Sequence, residues 1–155
     1  MIVLAGDHVP YDCMDVLSEL AGKNLTDNFE EYRSKLIIFS GAMETPVKVD
    51  KVCSSIDILA TVSNLMGLDY DSRLLIGQDI LSDSPGIVYF QDRSYITDNY
   101  IYNSSTNEVT VKSGAVPSDD ELENMNAYVA NKFTAAKGIC ENDFWRYVDE
   151  YYSQK

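Results

Sequence analysis

The stretch Ser82-Asp83-Ser84-Pro85-Gly86 constrains the chain most, because hydrophobic periodicity differs on its two sides. Before it, short apolar runs alternate with helical patterns. Ile2 to Ala5 is an apolar run ending at Gly6, and Leu36-Ile37-Ile38-Phe39 is a second, stopped by Ser40-Gly41. Such runs read as buried strands of a parallel sheet. Asp12 to Leu20 carries a weak helical pattern through Val16, Leu17 and Leu20. Ser54 to Met66 carries a clear one: Ile58, Leu59, Val62, Leu65 and Met66 recur at helical spacing, and Gly67 is placed to cap the end. Strand, helix, strand, helix predicts part of an α/β layered sheet over residues 1–81.

After the break come Ile87 to Phe90, Ser94 to Thr97, Tyr100 to Asn103 and Glu108 to Val111. They are short, rich in β-branched and aromatic residues, and separated by Asp, Asn, Ser and Thr, which predicts an antiparallel meander. Asp98-Asn99 and Ser104 to Asn107 are suited to its turns. Ser118 followed by Glu121 opens a helix running to Ala136, with Leu122, Met125, Val129 and Phe133 as its stripe. A last helix over Asn142 to Tyr152 presents Phe144, Trp145, Val148, Tyr151 and Tyr152, expected to pack on the sheet. Residues 82–155 are expected to pack as one unit with the core.

Charge narrows the partners. Twelve Lys and Arg against 25 Asp and Glu leave a net charge of −13. Nucleic acid and anionic membrane surfaces need clustered cations, so neither is expected as a direct partner. The same charge gives no long-range pull on a phosphate or sulfate ester, which a metal or a local donor cluster would have to hold. No segment approaches the roughly 18 to 20 apolar residues of a membrane helix, and there is no signal-peptide pattern. The chain opens directly on a strand, a hint of further polypeptide upstream. Cys13, Cys53 and Cys140 are odd in number and lack CxxC spacing, arguing for packed thiols over a zinc ribbon or disulfide framework.

Asp7-His8 is the one pair with the makings of a site. It follows the first strand directly, and open α/β sheets bind ligands at the carboxyl ends of strands. A carboxylate beside an imidazole suits zinc or manganese, and Gly6 eases the bend that aims both at one ion. Spacing alone leaves open the plainer alternative, a loop pair satisfying local hydrogen bonds. Lys35 and Arg93 are candidates to contact an anionic ester, although an arginine in a turn is more often a surface ion-pair partner. Cys53 precedes a helix without a basic neighbour in sequence, and Asp57 is placed to support adjoining loops.

Several segments together resemble the sulfatases of the alkaline phosphatase superfamily, and within them phosphoglycerol transferases of the lipoteichoic acid synthase type. Val3-Leu4-Ala5-Gly6-Asp7-His8 resembles that family's strand with its Asp-His motif. Leu36 to Gly41 resembles the following strand and loop. Val49 to Val52 and Ser54 to Val62 resemble its helix, Leu75 to Leu81 its Gly-x-Asp-Leu stretch, and Val88 to Phe90 with Asp92 to Asp98 its C-terminal strands. The likeness runs over residues 1–112. It departs at Ser34-Lys35, where Val-Pro is common, and at Ala60, where proline is common.

The resemblance implies the C-terminal part of an alkaline-phosphatase-like fold in which Asp7 and His8 are metal ligands. It also implies that the nucleophile and the remaining ligands lie outside this chain, which therefore holds no catalytic residue of its own. The implied cofactor is a divalent metal: manganese, zinc, magnesium or calcium. The implied substrate is an anionic lipid headgroup or a sulfate or phosphate ester, and the implied parent is membrane-anchored with an extracellular catalytic domain, while this chain alone is expected to be soluble. The contrasting expectation is a non-catalytic truncated α/β module that self-associates or binds a partner, with a homodimer over uncovered faces. A third is a carbohydrate-binding β module over residues 86–112, with Tyr89, Tyr95, Tyr100 and Tyr102 stacking on sugars.

Overall fold

A computed structural model describes residues 1–154. The chain is mixed α/β, with a two-stranded sheet, a four-stranded sheet and C-terminal helices. It divides into two compact units, Met1–Lys48 and Val49–Lys155. Residue 81, where the sequence texture changes, falls inside the second unit.

In the first unit, β1 (Ile2–Ala5) and β2 (Leu36–Phe39) pair, with α1 (Met14–Ala21) between them in sequence. Both strands lie where the apolar runs place them, but the pairing is antiparallel, with Ile2 opposite Phe39 and Ala5 opposite Leu36. Directly opposite residues share a face, so Ile2, Leu4, Ile37 and Phe39 form one continuous apolar ladder. These four are 56, 57, 56 and 61% exposed. The expectation of buried, parallel strands is corrected here. An apolar run records what a strand can bury, whereas two strands by themselves offer nothing to cover their second face. None of residues 1–48 is buried, so this unit has no enclosed core.

In the second unit the meander forms as the pattern predicts. The strands are β3 (Ile87–Tyr89), β4 (Tyr95–Thr97), β5 (Tyr100–Asn103) and β6 (Glu108–Val111), antiparallel in sequence order. The register sets Tyr89 opposite Tyr95, Tyr95 opposite Tyr102, and Tyr102 opposite Val109. The two-residue period puts these side chains on one face. That face is covered by α3 (Asp119–Glu141), whose Leu122, Met125, Val129 and Phe133 join Ile87, Tyr95 and Tyr100 in the core. Ser118 caps α3, its hydroxyl accepting from the Glu121 N–H at 3.3 Å. Because Tyr95 and Tyr100 are enclosed, they cannot serve as a sugar-stacking platform, and the carbohydrate reading of residues 86–112 is withdrawn.

The helix α2 (Ile58–Leu65) follows a 3-10 turn over Ser55–Asp57. It exists where periodicity places it, yet it buries Ala60, Thr61 and Ser63, while Leu59, Leu65 and Met66 are exposed. Hydrogen bonds decide its orientation. The Asp57 carboxylate, 3% exposed, accepts from the Ser54 N–H at 2.8 Å and the Gln78 N–H at 2.9 Å. The Thr61 hydroxyl donates to the Asp57 carbonyl at 2.7 Å and accepts from the Ile80 N–H at 3.1 Å. Two backbone amides of residues 78–80 thus end on the polar side of α2. Gly77 permits the approach, since a Cβ there would stand 2.0 Å from the Ile56 carbonyl oxygen. Asp98 works similarly, accepting from the N–H groups of Val52 and Gly86 at 3.3 and 2.9 Å.

The last helix, α4 (Phe144–Ser153), does not lay its aromatic stripe on the sheet as expected. It packs against α3 and against the segment Asp71 to Leu74, where the Tyr152 hydroxyl reaches Asp71 at 3.3 Å. The sheet face that could have received it is already occupied by α3.

Two outcomes follow from this packing. Asp57→Ala leaves the half-buried N–H groups of Ser54 and Gln78 without their acceptor and is expected to cost about 1–3 kcal/mol, read from the urea midpoint. In amide hydrogen exchange, β1 and β2 are expected to exchange faster than β4 and β5, because only the latter lie over enclosed side chains. Equal protection of the two sheets would contradict the account of the first unit.

Candidate metal-binding dyad

Asp7 and His8 stand immediately beyond β1. Gly6, which precedes them, lies close to Ser34: a Cβ on Gly6 would come within 2.4 Å of the Ser34 Oγ. The glycine therefore serves a close approach at this end of the sheet. The two side chains then converge. The His8 N–H donates to Asp7 Oδ1 at 3.0 Å, which fixes the carboxylate against the turn. The His8 Nδ1 lies 3.0 Å from the Val9 carbonyl oxygen. A carbonyl can only accept, so Nδ1 carries a proton, which in the neutral imidazole leaves the lone pair on Nε2. That Nε2 is 3.9 Å from Asp7 Oδ2. The His8 ring lies nearly parallel to Tyr11, with centroids 6.4 Å apart.

This donor set fits one cation held on two sides. Two ligands of a tetrahedral zinc ion stand roughly 3.4 Å apart, given metal–ligand bonds near 2.1 Å, so a small closure of the pair suffices. The side chains are open to a partner, at 66% exposed for His8 and 89% for Asp7. A backbone carbonyl holding the second ring nitrogen is also the usual support for a ligating histidine. Among the described residues, however, no group of three or more His, Cys, Asp and Glu side chains is placed to hold a metal. The pair therefore offers two donors without a third beside them.

The other candidates separate. The antiparallel register, with Ala5 opposite Leu36, brings Lys35 to the same end of the sheet as Asp7 and His8. Arg93 takes a different role from the surface ion pair expected. In the second unit, at φ 75°, its guanidinium lies 3.7 Å from the centre of the Phe133 ring and donates to the Gln91 carbonyl at 3.2 Å. Burial pushes the Cys53 thiol up, and the nearby Asp57 carboxylate adds to the shift. It is accordingly a half-buried thiol held toward its neutral form. Asp57 supports loops, as the sequence indicates.

Sequence reasoning passed over Asp71 and Arg73. The Arg73 side chain donates to Asp71 through Nε at 2.8 Å and Nη2 at 2.5 Å, and its backbone N–H donates to the same carboxylate at 3.0 Å. The Arg73 guanidinium holds the Asp71 carboxyl far below the usual carboxylate range. Aspartate two residues before arginine is too common a pairing to mark a site. Only α4, whose Tyr152 hydroxyl donates to Asp71 at 3.3 Å, gives it a setting.

No protein-family model matches the chain. Individual relatives do, two named as lipoteichoic acid synthases and one as lipoteichoic acid synthase-like. Lipoteichoic acid synthase 1 of Bacillus subtilis (strain 168) is 24% identical over 158 residues, covering 95% of this chain and 24% of the relative. Lipoteichoic acid synthase 2 of the same organism is 26% identical over 85% of this chain and 22% of the relative. The lipoteichoic acid synthase-like protein YvgJ, also from Bacillus subtilis, is 27% identical over 78% and 21%. The chain is thus related to the lipoteichoic acid synthase-like members of the sulfatase superfamily. The relationship is partial, since the chain spans about a quarter of the length of these relatives. Among the described residues no helix is long and apolar enough to cross a membrane.

If Asp7 and His8 share a cation, substoichiometric manganese should selectively broaden the ring-proton NMR signals of His8, the single histidine. Asp7→Ala should weaken the effect several-fold. Broadening that spreads evenly over surface carboxylates, with His8 unaffected, would remove the dyad from consideration.

Proposed function

We propose that this chain supplies two metal donors, Asp7 and His8, to a metal-dependent phosphoglycerol transferase or ester hydrolase of the sulfatase type whose other parts lie in additional polypeptide. The observation that carries the reading is the convergence of His8 Nε2 and Asp7 Oδ2 at 3.9 Å, with the imidazole oriented by the Val9 carbonyl. The relatives' name supports the reaction class. A divalent cation supplies two things to such a reaction when bound: activation of a hydroxyl nucleophile and neutralisation of charge on the transferred group. An imidazole in the donor set favours manganese or zinc over magnesium or calcium, which prefer oxygen ligands throughout.

The chain's own residues hold and orient. Asp7 contributes a charge, His8 a neutral nitrogen with a defined direction, and Lys35 a cation at the same end of the sheet for an anionic ester. The substrate in this reading is an anionic lipid headgroup or another phosphate or sulfate ester. The parent is a membrane-anchored protein with its catalytic domain outside. With a chain charge of −13, the metal and local donors must do the work of attraction.

A second reading is favoured by the uncovered ladder of Ile2, Leu4, Ile37 and Phe39. A non-catalytic module that pairs two copies over this face would enclose it. Light scattering separates the two: a stable dimer dissociated by Leu4→Lys supports pairing, and a monomer removes it.

For the enzymatic reading, the chain alone is expected to turn over neither nitrophenyl phosphate nor nitrophenyl sulfate with manganese or zinc present. Two donors do not replace a nucleophile and a full coordination shell. Robust turnover abolished by His8→Ala would overturn the division of labour proposed here.

A further inference from the structure

The helix α2 is built inside out. Its small and polar residues Ala60, Thr61 and Ser63 are buried, while Leu59 and Met66 are 61 and 58% exposed and Leu65 is exposed with them. Ile56 and Leu68, also exposed, extend the apolar side beyond both ends of the helix. The helix cannot roll over to hide this side. The Thr61 hydroxyl accepts from the Ile80 N–H at 3.1 Å, and the Asn64 amide donates to Asp79 at 2.6 Å. The Tyr70 hydroxyl donates to the Ala60 carbonyl at 3.0 Å. Rotation would break all three bonds. The outward leucines are thus a fixed feature of the second unit.

Two observations select what covers it. The first is charge. Residues 54–68 carry one ionisable side chain, Asp57, and that one is enclosed. An uncharged stripe in a chain of net charge −13 offers nothing to an ionic ligand and suits another apolar protein surface. A second copy of the chain would bring another −13 with it, and the two would repel. The second observation is length. The chain matches its relatives over 78 to 95% of itself but over only 21 to 24% of them. In proteins of that type, therefore, about three quarters of the polypeptide stands outside the part represented here.

We propose that the outward side of α2, with Leu59, Leu65 and Met66 at its centre, docks onto an apolar face of the polypeptide that makes up the rest of a synthase-type enzyme. This deepens the reading above and rests on its claim that the other parts of the transferase lie in additional polypeptide. It gives α2 the task of seating the second unit in the assembled enzyme.

The test co-produces the tagged 155-residue chain with each of three probes: lipoteichoic acid synthase 1, lipoteichoic acid synthase 2 and YvgJ, each without the stretch that this chain matches. Co-purification with at least one probe is expected. Leu59→Lys and Met66→Lys should each reduce it at least tenfold with circular dichroism unchanged. Val116→Lys, at an exposed apolar position away from α2, should leave it intact. In the wild-type complex, peroxide oxidation of Met66, mapped by mass spectrometry, should slow at least fivefold. Failure to co-purify with any of the three overturns the proposal, as does unchanged Met66 oxidation in the complex. Equal binding by both lysine variants overturns the docking face while leaving the additional polypeptide in place. Self-association abolished by Leu59→Lys would assign the face to a second copy and equally overturn it. No metal is added and no turnover is read, so the Asp7–His8 reading stands or falls separately on the His8 ring signals.

Discussion

The carboxylate of Asp57 is the interaction around which the second unit is arranged. It sits at the first turn before α2, enclosed, and ends two backbone amides that would otherwise be stranded, those of Ser54 and Gln78. With Thr61 taking the Ile80 amide, it ties residues 77–80 to the helix through their backbone amides. An unmade hydrogen bond in an enclosed place costs more than a made one contributes. The polar side of α2 therefore turns inward and its leucines outward. Gly77 follows from the same constraint, because any side chain there would collide with the Ile56 carbonyl.

How much of this was legible in the sequence depends on which physical term decided each element. The four strands of the meander and the stripe of α3 were legible because alternation and helical spacing both end in the same enclosed layer, Tyr95 against Val129. The positions of β1 and β2 were legible because each is an unbroken apolar run stopped at a glycine or a Ser-Gly step. Their pairing direction was not, since apolar runs look alike in parallel and antiparallel sheets. The orientation of α2 was not legible, because periodicity counts apolar residues and ignores a buried carboxylate that outweighs them. The stripe of α4 was real, but which surface would receive it was a matter of competition with α3, which no local pattern records.

For the site, residue type and position were legible and completeness was not. Asp7 and His8 could be singled out from a strand end and two donor types. Their convergence depended on details below the level of sequence pattern: one amide held by a carboxylate and one ring nitrogen held by a carbonyl. Asp71 and Arg73 carried no signal at all, since their importance arises from a helix more than 70 residues further along. Local chemistry near a strand end can be guessed from neighbours in sequence. A contact between distant segments cannot.

The bare ladder on β1 and β2 has a bearing on how such a chain is made in a cell. Residues 1–48 leave the ribosome before the residues that form the enclosed layer of the second unit. For that interval the first unit displays paired apolar strands with no enclosed side chain of its own. Nascent-chain chaperones recognise surfaces of this kind. With no enclosed side chain among residues 1–48, this ladder is a surface open to pairing with another chain until something covers it.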